Sequence, residues 1–363
     1  MQWTDEYIDS FLRNSVKGLN PTILSSSGNR RLGLDRNTNL LSINPALKKL
    51  ADIIQNEGLN DYPSPFNDEL REKIAVTYSK YGITSDEIII GNGSDAILDI
   101  FFKTFANPGD YVAAPYPTFH MLKFHVLVNM AQLIDIPLIE KDNKWELEPD
   151  GFLSSHAKLA VIATPNNPTP NAFDSEIVEE IVRNFKGIVL VDEAYYEYCG
   201  LTMLDKIHEY PNLVITRTFS KAYGLAGARV GYAIANKKLI SQILRARIPY
   251  SVGKISEKLA ILALDEKEFL NEVLAKNKEC RKHLSDGLGR LGFKVYHSDA
   301  NFILARLPNK HSSTQLAKKL AENGIFIVDY RNHPILSNCI RISVGTKEIN
   351  NEVIELAKSY LAL

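Results

Sequence analysis

The chain is expected to be an α/β protein, with a seven-stranded, mostly parallel sheet covered by helices and a smaller α+β domain beside it. Three observations predict this. Short apolar runs of strand length alternate with stretches of helical spacing as far as residue 235, the pattern of strands buried on both faces. From about 240 to 292 the pattern turns helical and charged, and short strands then return. Finally, 363 residues exceed what a single hydrophobic core ordinarily supports. Two domains are therefore expected, a large one at 45–249 and a small one made of 1–44 and 250–363, with the N-terminal arm packed beside it.

In chain order, 68–81 carries helical spacing, 87–90 is an apolar strand, and 94–105 is a second helix opened by the loop Gly91-Asn92-Gly93-Ser94-Asp95-Ala96. Further strands are expected at 111–114, 131–136, 159–163, 188–191, 213–216 and 230–235, with Pro108-Gly109-Asp110 and Gly82 as turns. The small domain is expected to have strands at 302–307, 325–328 and 340–344, with a helix at 313–323. In the last strand Ile340, Ile342 and Val344 alternate with Arg341 and Ser343, giving one apolar and one polar face. No internal repeat or low-complexity stretch interrupts the pattern.

The composition excludes several function classes. A formal net charge of -1 provides no bulk attraction to nucleic acid or to an anionic membrane. No apolar run is long enough to span a bilayer. Cys199, Cys280 and Cys339 are widely spaced, which fits reduced thiols and predicts neither disulfides nor a metal site. The first residues are acidic and lack the basic and apolar regions of a signal peptide, so a cytoplasmic location is expected.

The chemistry concentrates at strand ends. Lys221 stands just past the strand ending near Thr218, inside Thr-Phe-Ser-Lys-Ala-Tyr-Gly. Asp192 ends another strand, followed by Glu193-Ala194-Tyr195, and Asn166-Asn167-Pro168 follows a third. Singly, each has an ordinary reading: a solvated lysine, a polar strand end, a turn. Together they suit pyridoxal 5'-phosphate. A lysine amine condenses with the cofactor aldehyde and later moves protons. A carboxylate such as Asp192 keeps the ring nitrogen protonated, and Tyr195 and Asn167 can donate to the ring's phenolate oxygen. The phosphate needs amides and a cation, which Gly93, Ser94 and Asp95 at a helix start, Ser220 and Arg229 can supply.

This constellation resembles the fold-type I pyridoxal-phosphate aminotransferases over nearly the whole chain, and is most similar to the histidinol-phosphate aminotransferases. The resemblance rests on the glycine loop at 91–96, Pro115-Tyr116-Pro117-Thr118-Phe119, Asn167-Pro168, Asp192-Glu193-Ala194-Tyr195-Tyr196, Arg217-Thr218-Phe219-Ser220-Lys221-Ala222 and Cys339-Ile340-Arg341-Ile342-Ser343-Val344-Gly345-Thr346. It implies the pyridoxal-phosphate transferase fold, with Lys221, Asp192 and Tyr195 catalytic and Phe119 stacked on the pyridine. It also implies a homodimer with composite sites, Tyr62 reaching the cofactor phosphate of the other subunit. Arg341 would clamp the anionic end of the substrate, with Arg331 and Asn39 as further substrate contacts. The expected reaction moves an amine from histidinol phosphate to 2-oxoglutarate.

Departures from that pattern fall at the substrate. Val328 stands where a second arginine is common, and Asn37-Thr38-Asn39-Leu40 lacks the usual proline. Aromatic amino acid transfer, or decarboxylation of a phosphorylated amino acid on the same fold, therefore stays open. A nicotinamide dehydrogenase is the alternative from another class, since 91–96 also satisfies Gly-x-Gly-x-x-Ala. Its ribose partner would have to be Asp110, which sits in a turn. A catalytically idle ligand sensor would need an added DNA-binding segment or a lost lysine, and neither is seen in this sequence.

Overall fold

The computed structural model describes residues 8–17, 19 and 30–362. Residues 1–6, on which the signal-peptide expectation rests, lie outside them. The large sheet consists of β1 (Ile88–Gly91), β2 (Tyr111–Tyr116), β3 (Gln132–Pro137), β4 (Leu159–Ala163), β5 (Ile188–Asp192), β6 (Leu213–Thr218) and β7 (Gly231–Ala235). Their spatial order is β1-β7-β6-β5-β4-β2-β3. Only β7 runs antiparallel to its neighbours; the remaining pairs are parallel. Strand alternation divides the core: Ile88, Ile90, Ile162, Val191 and Ile215 face one layer, while Ile89, Val161, Leu190 and Val214 face the other.

The helix expected at 68–81 ends sooner. Helix α1 spans Asp68–Thr77, and a 3-10 turn at Ser79–Tyr81 finishes on Gly82 at φ 70, a left-handed conformation that glycine adopts without strain. Helix α2 spans Ser94–Phe105, as its spacing predicts, and buries Ile97, Leu98, Phe101 and Phe102. Helix α3 (Lys254–Asp265) packs on α1, so Leu259, Ala260 and Ala263 join the large core.

The second sheet has four antiparallel strands, β8 (Lys294–Val295), β9 (Phe302–Arg306), β10 (Val328–Asp329) and β11 (Cys339–Ser343), in the order β8-β9-β11-β10. Helices α4 (Lys267–Arg290), α5 (Ser313–Glu322) and α6 (Lys347–Leu361) accompany it. Leu284, Leu288, Leu316, Leu320 and Val353 from these helices enclose a core with Ile303, Ile340 and Ile342. The run expected as one strand at 325–328 is divided. Ile325–Phe326 pairs in parallel with Leu32–Gly33, and only Val328–Asp329 joins β11. The N-terminal segment thus takes half of this run, which no pattern inside the run itself reveals.

Candidate active site

Strands β1, β2, β4, β5 and β6 end on one edge of the large sheet, the edge where open α/β sheets bind ligands. Asp192 closes β5, in register with Ala163 on one side and Thr216 on the other. It is buried, and its Oδ1 accepts from Thr216 Oγ1 at 2.9 Å. Burial pushes its carboxyl up to about 6; the neighbouring Asp95 adds to this, while Lys221 acts against it. Lys221 follows β6, with Nζ 5.4 Å from the Tyr195 ring centroid and 3.2 Å from the Arg36 carbonyl, to which it donates. Tyr195 is buried with its ring edge-on to Phe302, and its hydroxyl oxygen accepts from Asn37 Nδ2 at 3.0 Å.

Beside these groups the loop after β1 forms a cradle whose chemistry suits an anion. Gly93 precedes α2 at φ 83, and the first backbone N–H groups of the 12-residue helix point outward from its start. Arg229 lies directly against this loop: a Cβ on Gly93 would stand 2.4 Å from Arg229 Nη2. Its guanidinium also approaches Asp95 Oδ2 at 3.4 Å and Ser220 Oγ at 3.5 Å. Gly231 on β7 is equally constrained, since a Cβ there would lie 2.4 Å from the Ser94 nitrogen.

Arg341 reaches this edge from β11, where it pairs with Leu304 and Val328. It is buried over the Phe302 ring, at 5.5 Å from the centroid. Nη1 donates to Asn167 Oδ1 and Nη2 to the Asp35 carbonyl, while Nε has no hydrogen-bond partner among the described residues. The polar face of this strand is therefore buried, Ser343 included. Because Asn167 accepts through oxygen, its Nδ2 remains available as a donor.

Three consecutive residues of the N-terminal segment contact this site: Asp35 meets Arg341, Arg36 meets Lys221 and Asn37 meets Tyr195. Asn37, buried at φ 53, was not among the expected site residues. Its one sequence signal is that asparagine tolerates the left-handed region. Asn39 also docks here, donating to the Ala222 carbonyl at 3.1 Å. Beneath the edge lies a pair that motif reading passed over: Arg217 and Glu193, both fully buried, meet at 2.7 Å, and Arg217 stacks 3.7 Å over Tyr196.

Other expected residues sit farther out. Phe119 precedes the helix after β2, half-buried and edge-on to His120. Tyr62 is 72% exposed, its ring 4.8 Å from Tyr250, and it touches none of the groups above within its own chain. Arg331 is exposed; its backbone N–H binds Asp329 Oδ1, and its side chain makes no hydrogen bond or ion pair among the described residues. The dehydrogenase reading loses its ribose partner, because Asp110 accepts from the Asn107 N–H at 2.8 Å and from Lys158 at 2.7 Å within its turn.

Pyridoxal phosphate fits the residues present. The cradle suits a phosphate, the buried Asp192 carboxylate lacks a full cationic partner, and a lysine amine, a phenol and an amide N–H stand near both. Among the described residues no group of three or more His, Cys, Asp and Glu side chains could hold a metal ion, and no helix is long and apolar enough to cross a membrane.

Comparison with known proteins agrees. The histidinol-phosphate aminotransferase of Ruminiclostridium cellulolyticum is 34% identical over 356 residues, covering 96% of this chain and 97% of that protein. Its namesake from Microcystis aeruginosa is 38% identical over 292 residues, covering 80% of this chain and 81% of that protein. Among solved structures, the histidinol-phosphate aminotransferase from Clostridium acetobutylicum matches with a TM-score of 0.81 at 23% identity, covering 91% of this chain and 99% of that one. The one from Sinorhizobium meliloti, in complex with pyridoxal-5'-phosphate, has a TM-score of 0.79 at 24% identity over 91% of each chain. At such identities the structures speak for the fold. A family model described as aminotransferase class I and II matches from Arg30 to Leu356, nearly the whole described chain, and the protein belongs to that family.

Proposed function

We propose that the chain is a pyridoxal-phosphate-dependent histidinol-phosphate aminotransferase, passing the amine to 2-oxoglutarate and working as a cytoplasmic homodimer with composite sites. The proposal includes the division into a large domain at 45–249 and a small one at 1–44 and 250–363, with α3 of the latter stretch packed on the large core. The observation that carries the substrate reading is Arg341, a buried guanidinium with an unpaired Nε beside the lysine edge. A planar fork there pairs with a phosphate or a carboxylate, so one residue can receive both substrates in turn.

When bound, the cofactor supplies an aldehyde for the substrate amine and a ring that accepts electron density from the breaking bond. Lys221 Nζ would take the proton from the substrate's amine-bearing carbon and move it to the carbon that was the cofactor aldehyde. Asp192 would hold a positive charge on the ring nitrogen, and that charge would restore the carboxylate that burial disfavours. Tyr195, with Asn37 fixing its oxygen, and Asn167, with Arg341 fixing its amide, would present donors to the ring oxygen. Gly93, Ser94, Asp95, Ser220 and Arg229 would hold the phosphate, Phe119 would cover the ring, and Tyr62 of a second copy would complete the cradle. Asn39 and Arg331 assist the substrate.

Borohydride reduction followed by peptide mapping should place the cofactor on Lys221; another lysine would overturn the assignment. A screen of single amines, following the fading of the cofactor's visible absorbance, tests the substrate. Val328 and the exposed Arg331 favour the second reading, so faster conversion by phenylalanine or tyrosine than by histidinol phosphate would make this an aromatic amino acid aminotransferase. Mixing Lys221→Ala with Tyr62→Ala subunits should regenerate activity in a hybrid site. Activity that stays at background after confirmed exchange would remove Tyr62 from that role.

A further inference from the structure

Val328 and Leu304 stand directly opposite Arg341 on the two neighbouring strands, so apolar side chains flank the guanidinium and neither supplies a second cation. The ladder between β10 and β11 continues one residue past Asp329, because the Tyr330 N–H donates to the Cys339 carbonyl at 2.9 Å. Residues two apart on a strand share a face, which places Tyr330 on the face of Val328 and diagonally across from Arg341. The packing agrees. Tyr330 lies against the large core with Leu304 and Cys339, whereas Ile327 and Ile340 belong to the small core on the other face. Arg306, the diagonal neighbour on β9, is engaged elsewhere, with Glu140 at 3.6 Å, and Ser343 donates to the Leu34 carbonyl at 2.8 Å.

Neighbouring rings hold the half-buried Tyr330 in place. His333 meets its ring edge-on at 5.9 Å and itself stacks at 5.4 Å on Tyr116, the last residue of β2. The His333 Nδ1 accepts from the Ile335 and Leu336 N–H groups, both at 3.2 Å, so this imidazole is fixed in turn. Burial pushes the Tyr330 phenol up, with the Arg341 cation acting against this and the neighbouring Tyr195 adding to it. The phenol therefore stays protonated beside two groups of the amine-transfer site. A cation draws the hydroxyl oxygen, which leaves the O–H to donate to a negative group.

We infer, on the reading of Arg341 as the substrate arginine, that Tyr330 is a specificity-determining residue whose hydroxyl donates to the anionic group that Arg341 receives. A neutral donor serves a phosphate and a carboxylate alike, whereas a second guanidinium would favour the doubly charged group. The test is Tyr330→Phe, which keeps the ring against His333 and removes only the hydroxyl, in half-reactions of the cofactor-loaded enzyme followed by visible absorbance. The half-saturating concentration of histidinol phosphate should rise about ten-fold or more, as for a lost hydrogen bond to a charged group, with the limiting rate held within about two-fold. For histidinol, the same amine without the phosphate, the apparent second-order rate constant should not change. An unchanged half-saturating concentration would overturn the inference, as would an equal loss for both amines, which a loosened scaffold produces. Failure of histidinol phosphate to convert the wild-type cofactor would instead overturn the proposed substrate. Phenylalanine and phenethylamine, its carboxylate-free counterpart, then put the same comparison to Tyr330, with the same outcomes supporting or refuting it.

Discussion

Replacing Asp192 by asparagine should stabilise the cofactor-free protein while disabling the enzyme. In the folded chain, burial raises this carboxyl from 3.8 to about 6, whereas the unfolded chain keeps the ordinary value. A raised carboxyl binds more protons folded than unfolded between those values, so folded stability falls as pH rises from about 4 to about 6 and stays lower above. The difference corresponds to roughly 3 kcal/mol. Asparagine cannot ionise, and its oxygen can still accept from Thr216 Oγ1, at 2.9 Å in the native protein. Urea unfolding of the two apoproteins should therefore show the variant ahead by up to roughly 3 kcal/mol at pH 8, with the gap closing below pH 4. Turnover should meanwhile fall by an activation free energy on the order of several kcal/mol, since an amide cannot hold a ring proton. A stability gap independent of pH would refute the raised carboxyl, and near-normal turnover would refute the assignment of Asp192 to the ring nitrogen.

Gly93→Ala should weaken the cofactor, because the new methyl would stand 2.4 Å from Arg229 Nη2 at a backbone φ of +83; equilibrium dialysis of the cofactor measures it, and unchanged retention would remove the cradle from the phosphate. Glu193→Ala should destabilise the fold by roughly 3–5 kcal/mol in urea unfolding, since it strands the buried Arg217 charge. Arg331→Ala should weaken histidinol phosphate by roughly 1.5–3 kcal/mol while hardly affecting phenylalanine, if the exposed guanidinium swings in to the phosphate. Equal effects on both substrates in steady-state kinetics would show that it does not.

Where the chemistry sits at a strand end, the sequence was sufficient. Apolar runs located β5 and β6, and the rule for the carboxyl edge of a parallel sheet then brought Asp192 and Lys221 together without further information. Arg341 was legible for a different reason: alternation along β11 separated it from Ile340 and Ile342, although only the structure shows its face to be buried. The antiparallel direction of β7 was not legible, because a run such as Gly231–Ala235 pairs as well either way and direction is set by distant neighbours. Asp35 and Arg36 left no signal either. They act through carbonyl oxygens on partners 306 and 185 residues away, and every residue type has that oxygen.

That last point bears on how the site can be dissected. Alanine at position 35 or 36 keeps the carbonyl that meets Arg341 or Lys221, so a side-chain scan would report both positions as silent at these contacts, whatever Asp35→Ala does to its ion pair with Arg30. Only Asn37 engages through its side chain and would register. The three contacts are consecutive, so a deletion or insertion upstream that shifts the segment by one residue would disturb all of them together. Mapping by substitution would thus underrate the segment, and changes in its length would expose it.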